Sequence, residues 1–253
     1  MVLSPPPGQL LARMRRRLVS SAWRLVEGQH LIATRQLVDT PAEHQVLEEM
    51  LESSKPALLP GTEHLHYLLA TSFRYPPLRH GSRLGTRRER GIWFGSEAPA
   101  TAMAEVAWYR LCFLADTRAE LAGTHTEHTL FRAKVDARPG IDLMVTELRR
   151  WRRALTDPSS WTMGQTIGGR LRELDVRACR LASARDVGGI NIAVLSPTAF
   201  AAPVPDASSL QTWHCDATNE RVVFTRRGAL ALEQCEYARE RFLVHGKLPR
   251  PGA

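Results

Sequence analysis

The sequence of 253 residues has no apolar run long enough to cross a membrane. A transmembrane helix needs roughly 20 consecutive apolar residues, and charged or polar residues interrupt every apolar stretch here well before that length. The basic segment RMRRR at 13–17 is followed by no uninterrupted apolar core before Arg24, so a secretory signal is not indicated. We therefore expect a cytoplasmic protein with one main domain, because 43% apolar residues suffice for a substantial core.

Cysteine is scarce, and its spacing excludes two common kinds of site. The four cysteines, at positions 112, 179, 215 and 235, form no CxxC pair, so the sequence predicts reduced thiols rather than a disulfide framework or a zinc site. His214 and Cys215 are adjacent, but neighbours in a strand point to opposite faces, which disfavours a nucleophilic pair. We expect no bound metal.

The standard phosphate-binding loops are also missing. GTRRERG at 85–91 and DVGGIN at 186–191 are glycine-containing, yet neither is GxGxxG or a Walker loop ending in GK[ST]. Any dinucleotide site in this protein must therefore be built in another way.

Lysine is nearly absent from a chain whose net charge is +8. Only three of the 34 basic residues are lysine, namely Lys55, Lys134 and Lys247. The basic residues are scattered apart from RMRRR, RRER at 87–90 and RRWRR at 149–153, whereas a nucleic-acid surface needs them on one face. Direct nucleic-acid binding is therefore disfavoured, although a nucleic-acid-binding module using RMRRR and RRWRR remains an alternative.

The order of predicted elements indicates the fold class. A capping box at Thr40 and Glu43, with Pro41 between them, predicts a helix over 40–54 whose buried stripe is Leu47, Met50 and Leu51. Residues 98–114 and 159–174 read as helices, and residues 90–96, 128–137, 189–197 and 220–226 read as strands. Because helices and strands do not alternate and no repeat recurs, doubly wound, barrel and repeat architectures are disfavoured. We expect an α+β protein.

In GSRLGTRRERGIWFGSEAPATAMAEVAWYR at 81–110, an arginine precedes an aromatic pair, and one acid, Glu105, follows in a predicted helix of small apolar residues. With no second acid or metal ligand at usable spacing, Glu105 argues against a two-carboxylate glycosidase and against metal-dependent hydrolysis. Arginines can bind a diphosphate, an aromatic ring can stack on a heterocycle, and a carboxylate can stabilise a cationic sugar centre. A dinucleotide such as NAD offers all three targets.

Four ordered motifs resemble those of the RES domain family. AWRLVEGQH resembles the opening arginine motif, LHYLLATSFRYPPLRHGSRLG the central arginine motif, GIWFGSEAPATAMAEVAWYR the glutamate motif and LASARDVGGINIAVLSP the serine motif. The stretch QLVDTPAEHQVLEEMLESSKP is similar to a longer subgroup of the family. The resemblance implies an ADP-ribosyltransferase-like fold, a split mixed sheet with flanking helices, in a RES domain at 19–246. Residues 1–18 would be a flexible basic, proline-rich segment and residues 247–253 a frayed end, neither of which is expected to pack.

The resemblance also implies the site residues. Arg24, Arg83 and Phe94 would bind NAD, and Glu105 would act at the ribose, with Arg83 and Ser183 assisting both binding and catalysis. Phe94 departs from the tyrosine common in the family and offers no hydroxyl, so the stacking ring is either Phe94 or Trp93. Arg74 and Tyr75, in FRYPP at 73–77, are further candidates for the pocket, and the alternative for Arg74 is a structural role in anchoring this proline turn.

The function implied by the resemblance is that of the toxin of a bacterial toxin–antitoxin pair. Such a protein would consume NAD as substrate by hydrolysis or phosphorolysis of the ribose–nicotinamide bond, or transfer ADP-ribose to a protein, and its partner would be an Xre-type helix-turn-helix antitoxin. A RES-like protein that has lost catalysis and only binds a partner, and a homodimer, are left open.

Overall fold

The computed structural model describes residues 3–28, 34, 37–119 and 121–250. The helices are α1 (Gly8–Arg13), α2 (Pro41–Ser54), α3 (Tyr67–Arg74), α4 (Pro99–Asp116), α5 (Arg149–Leu155) and α6 (Thr162–Glu173). The strands are β1 (Arg16–Glu27), β2 (Trp93–Ser96), β3 (Thr124–Asp142), β4 (Ala178–Ala182), β5 (Ile190–Val194), β6 (Gln211–Ala217), β7 (Arg221–Arg227) and β8 (Leu232–Ala238). Each helix and strand predicted above overlaps one of these. The last residues of the motif AWRLVEGQH, at 29 and 30, and residue 36 of the stretch that follows it lie outside the described residues.

The strands form one mixed sheet in the order β1-β2-β5-β4-β3-β6-β7-β8. The pair β3–β4 is parallel and the other pairs are antiparallel. The α+β class, with a mixed sheet and flanking helices, is confirmed.

The long strand β3 splits the sheet. Along one edge it pairs with β6 near its start and with β4 at its end, while its other edge pairs with β1 over most of its length. Because β1 also pairs with β2, the five strands β1, β2, β5, β4 and β3 close into a ring. This closure was not predicted, because pairing between β1 and β3 has no signature in local periodicity.

Helix α4 packs across the sheet and supplies much of the core. Its residues Met103, Ala104, Ala107 and Trp108 are at most 1% exposed, and they contact apolar residues of β6 and β7. Small side chains let the helix approach the sheet closely, since burial of apolar area drives this packing. The helix also carries Glu105, which is partly buried beside these core residues.

The two ends of the described chain pack against the domain, so the expectation that they would not pack was wrong. At the start, α1 buries Leu11 completely, and Trp151 Nε1 donates a hydrogen bond of 2.7 Å to the Ser4 carbonyl oxygen. At the end, the Pro249 carbonyl oxygen accepts from Trp108 Nε1 at 3.2 Å, while residues 251–253 lie outside the described part. Aromatic N–H groups need acceptors when buried, and these segments supply them. The limits of the RES domain at 19 and 246 stay a prediction.

Helix α2 is capped as predicted but is not buried as predicted. The Thr40 side chain accepts from the Glu43 backbone N–H, and the Glu43 carboxylate accepts from the Thr40 backbone N–H, which completes the capping box. Met50 is 64% exposed and Leu51 is 38% exposed, so the predicted stripe faces outward. Periodicity indicated the correct helix but could not show that Met50 and Leu51 lie uncovered by the rest of the described chain.

The four cysteines are free thiols, as predicted. Cys215 is buried on β6 while its neighbour His214 is exposed, so the two point to opposite faces. Among the described residues, no helix combines the length and the apolar character needed to pass through a lipid bilayer.

Candidate active site

A cavity of about 520 Å³ lies between β1, β2, helix α4 and the connection that precedes β2. Its wall includes Arg24 from β1, Arg83 from the connection, Phe94 from β2 and Glu105 from α4. The structure therefore brings four of the five predicted site residues to one cavity, although they are spread over more than 80 positions of the sequence.

Hydrogen bonds hold the Glu105 carboxylate in one orientation. Its Oε1 accepts from Ser183 Oγ and from Asn191 Nδ2, both at 2.6 Å. Asn191 is itself oriented by Ser96, whose Oγ donates to Asn191 Oδ1 at 2.7 Å. No described residue is shown donating to Glu105 Oε2, which leaves that oxygen as an acceptor for a molecule in the cavity.

Ser183 is the fifth predicted residue, and it contacts Glu105 rather than lining the cavity. It follows β4, is 7% exposed, and accepts from the backbone N–H groups of Arg185 and Asp186 at 3.0 and 3.1 Å. Because those donors occupy its oxygen, the hydroxyl proton is directed to Glu105. The geometry therefore fits a residue that positions Glu105 and does not fit a direct contact with substrate.

Arg24 and Arg83 lie in the cavity wall without an ion pair to a described carboxylate. Arg24 Nη1 donates to the Phe94 carbonyl oxygen at 2.9 Å, and Arg83 Nη1 donates to the carbonyl oxygens of Leu155 and Asp157 at 3.0 and 2.9 Å. Burial lowers the pKa of the Arg24 guanidinium to about 10. Burial also lowers the pKa of Arg83, against the opposing influence of the Glu105 charge. Both side chains remain charged near neutral pH and can accept an anionic partner.

The structure decides between the two candidate stacking rings. Trp93 is fully buried, donates from Nε1 to the Leu68 carbonyl oxygen and packs against Phe131 and Phe200, whereas Phe94 lines the cavity. Adjacent strand residues point to opposite faces, so only one of the two rings can reach the cavity.

The other two candidates, Arg74 and Tyr75, differ in their position relative to the cavity. Tyr75 lines the cavity, but Arg74 points away from it and binds the Pro56 carbonyl oxygen and Glu52. Arg74 thus has the structural role that we considered as the alternative.

Several cavity residues were not predicted. Tyr109 and Trp161 add rings to the wall, and Arg185 adds a cation. Tyr109 is 44% exposed, and its hydroxyl is protonated near neutral pH and able to donate. Tyr109 lies four residues after Glu105, which is one helical turn, and this spacing could have indicated it. Asn191 could have been noticed as an amide within an otherwise apolar strand.

Two glycines of α6 allow the Arg83 segment to approach the helix. A Cβ on Gly164 would lie 2.2 Å from the Arg83 carbonyl oxygen, and a Cβ on Gly168 would lie 1.8 Å from that of Leu84. These positions are one helical turn apart and face the same segment. Glycine has a low helix propensity, but at these two positions it allows the backbone that carries Arg83 to pack directly against the helix.

No three His, Cys, Asp or Glu side chains within the described part of the chain gather as a metal site would require. The site is thus a cavity in an α+β protein that combines unpaired arginines, aromatic rings and one oriented carboxylate.

The sequence matches the RES domain over residues 58–217, and the protein belongs to the RES domain family. A chain of the solved MbcT-MbcA toxin-antitoxin complex of M. tuberculosis is similar to it with a TM-score of 0.46 and 15% sequence identity, over 84% of this chain and 92% of that chain. The sequence matches no curated protein. Of the site residues, Arg83, Phe94, Glu105 and Ser183 fall inside the matched range, and Arg24 precedes it.

Proposed function

We propose that the protein is the toxin of a toxin–antitoxin pair and consumes NAD by cleaving the bond between ribose and nicotinamide. The observation that carries this proposal is the combination of an oriented carboxylate, Glu105, with arginines that have no acidic partner, all in one cavity. Partly buried cations without an ionic partner are costly, and an anionic substrate would supply that partner. Membership of the RES domain family supports the choice of NAD.

Each cavity residue has a role that follows from its chemistry. Arg24 and Arg83 would bind the diphosphate, because a guanidinium can donate two parallel hydrogen bonds to a phosphate. Phe94 would stack on the nicotinamide ring.

Glu105 Oε2 would accept from a ribose hydroxyl beside the breaking bond, while Ser183 and Asn191 hold Oε1. As the ribose carbon gains oxocarbenium character, the fixed negative charge stabilises the transition state more than the ground state.

The leaving group explains why one acid suffices. The nicotinamide of NAD carries a positive charge at the bond that breaks, so it leaves as a neutral molecule and needs no proton from the enzyme. Water or phosphate then captures the ribose cation, and transfer to a protein side chain is the alternative. Incubation with NAD, with and without phosphate, followed by identification of the products distinguishes these acceptors.

The first test is Glu105→Gln. Replacing the charge by an amide should leave the fold intact and reduce NAD turnover roughly a hundredfold or more, since one such charge contributes about 3 kcal/mol to transition-state stabilisation. Turnover is measured by loss of NAD, and folding by the melting temperature.

Glu236→Gln serves as the matched control, because Glu236 lies on β8 outside the cavity and its ion pair with Arg221 is exposed. This variant should turn over NAD like the wild type. Equal turnover by the wild type and Glu105→Gln would contradict the assignment of Glu105. A wild-type protein that leaves NAD intact under all conditions would favour a RES-like protein that only binds its partner.

A further inference from the structure

Arg185 is a buried cation that the proposed mechanism does not use. It lies two residues after Ser183, in the connection between β4 and β5, and is 5% exposed. Its two terminal nitrogens are shielded from solvent, and no described residue accepts a hydrogen bond from either of them. A guanidinium carries five N–H donors, so this arrangement leaves strong donors unsatisfied.

Trp108 explains how Arg185 is held but not what it binds. The guanidinium carbon lies 3.5 Å from the centre of the Trp108 ring, and Trp108 is itself fixed by the hydrogen bond from its Nε1 to the Pro249 carbonyl oxygen. A ring face attracts a cation but offers no acceptor in the guanidinium plane. The stacking therefore orients the N–H groups and leaves them without acceptors.

The surroundings of Arg185 favour an anion. Arg185 lines the cavity of about 520 Å³ described above, which we call the main cavity, together with Arg83. Burial and the positive charge of Arg83 lower the pKa of Arg185 to about 10. Among the described residues that line the cavity, four are arginines and one, Glu105, is an acid. The Glu105 oxygen Oε1 is occupied by Ser183 and Asn191, so Glu105 does not neutralise these arginines through that oxygen.

We propose that Arg185 and Arg83 together bind one phosphate group in the main cavity, with Arg185 stacked on Trp108 as a preorganised donor. This deepens the proposed function and rests on it, since the phosphate would be either part of the diphosphate of NAD or free inorganic phosphate that accepts ADP-ribose. In the second case a phosphate oxygen bonds to the ribose carbon while the bond to nicotinamide breaks, and the electron pair leaves with nicotinamide. Nothing is oxidised or reduced.

The test compares Arg185→Met and Arg185→Lys with the wild type. Methionine keeps an apolar stem that can pack on Trp108 but has no charge, whereas lysine keeps the charge without the planar fork. Arg241→Gln is the matched control, because Arg241 lies close in the fold and is paired with Asp186 at 2.5 Å, outside the main cavity. Melting temperature is measured alone and with inorganic phosphate, pyrophosphate or NAD, and NAD consumption is measured against phosphate concentration.

We expect the melting temperature of the wild type to rise with phosphate or pyrophosphate. In Arg185→Met the apparent affinity for these anions should fall about tenfold or more, because a charged hydrogen bond is lost. Without ligand this variant should melt at or above the wild-type temperature, because an unpaired buried charge has been removed. The apparent affinity of Arg185→Lys for these anions should lie between those of the wild type and Arg185→Met. Arg241→Gln should respond like the wild type.

Kinetics identify the source of the phosphate. If Arg185→Met loses the dependence of turnover on inorganic phosphate while the KM for NAD is unchanged, the group bound is free phosphate. If the KM for NAD rises about tenfold at every phosphate concentration, the group bound is the diphosphate of NAD. Either result supports the proposal.

Three results would overturn it. The first is a wild-type protein that responds to none of the three probes, and the second is an Arg185→Met variant that responds to all of them like the wild type. The third is a lower melting temperature of Arg185→Met with unchanged responses, which would assign Arg185 a structural role only.

Two further outcomes also have a defined interpretation. If Arg185→Met does not fold, Arg185→Lys decides, since an unchanged response of this variant overturns the proposal. If phosphate stabilises the wild type through Arg185 but NAD is not consumed, the proposed function fails and the phosphate site stands.

Discussion

At the scale of single residues, the arginines of the cavity differ in how firmly they are held. Arg83 has one nitrogen, Nη1, bound to two carbonyl oxygens, while Arg24 has Nη1 bound to one and lies 5.3 Å from the centre of the Trp93 ring. These contacts fix each guanidinium without neutralising it. Both can therefore present remaining N–H groups to a substrate.

Arg24→Lys and Arg83→Lys test this arrangement. An ammonium cannot donate the two parallel hydrogen bonds of a guanidinium, so each variant should reduce kcat/KM for NAD about tenfold or more. Arg88→Lys is the matched control, because Arg88 lies in the same connection as Arg83 but is exposed and outside the cavity. Wild-type kinetics in both test variants would argue against a diphosphate-binding role.

The sequence predicted those cavity residues that lie within the four motifs resembling the RES domain family. Arg24, Arg83, Phe94 and Glu105 were found because each lies in a motif that resembles those of the family. Asn191 and its contact with Glu105 were missed, because that contact depends on β5 lying between β2 and β4. Sequence periodicity indicates which face a residue occupies, but it does not indicate which strands are neighbours.

At the scale of elements, α6 shows why a poor helix former can be the correct residue. Residues 159–174 predicted a helix, and the helix is present over Thr162–Glu173 although it contains three glycines, which are poor helix formers. Gly164 and Gly168 permit backbone contact with the segment that carries Arg83, whereas a Cβ on Gly169 would have its nearest neighbour, Glu89 Oε1, at 3.6 Å. Alanine at Gly164 or Gly168 should therefore destabilise the protein, whereas alanine at Gly169 should not.

Gly164→Ala should destabilise the protein by about 1–3 kcal/mol and reduce NAD turnover, because the added methyl group displaces the Arg83 backbone. Gly169→Ala, in the same helix, should be neutral or more stable by up to about 1 kcal/mol, with unchanged turnover. Urea unfolding and NAD consumption measure the two effects. Similar behaviour of both variants would show that the contact with Arg83 does not require glycine.

The contacts of the basic segments at 13–17 and 149–153 argue against the nucleic-acid-binding alternative. In the basic segment at 13–17, Arg17 binds Asp136 through two hydrogen bonds and Arg16 pairs with Asp142 at 3.6 Å. In α5 the central Trp151 is buried in the core. Part of the charge of the first segment is thus paired with carboxylates of this chain, and the aromatic ring of the second is not available at the surface, which favours the cavity over these segments as the functional surface.

At the scale of the whole molecule, the proposed activity requires restraint. An enzyme that drains NAD harms the cell that makes it, so we infer that a second protein, of the Xre helix-turn-helix type implied by the family resemblance, covers the cavity. Its contact would lie over Arg24, Arg83 and Glu105, because blocking these residues blocks the substrate.

Expression of the wild-type protein alone should arrest bacterial growth and lower cellular NAD, and co-expression of its partner should restore both. The Glu105→Gln variant should be harmless yet still bind the partner, because the side chain keeps its shape. Growth curves, NAD measurements and co-purification test these outcomes. Growth arrest by Glu105→Gln equal to that of the wild type, or arrest with NAD unchanged, would show that toxicity has another origin.

The closed ring of strands has a consequence for timing during synthesis. β1 pairs with β3 across more than 100 positions, as in Trp23 opposite Arg132, and Asn191 reaches Glu105 only after β5 has joined β2. Contacts this distant in sequence form slowly and late, because the intervening chain must be ordered first. A newly made chain therefore passes through an interval in which Glu105 is not yet oriented, and the proposed activity would begin only after the ring of strands has closed.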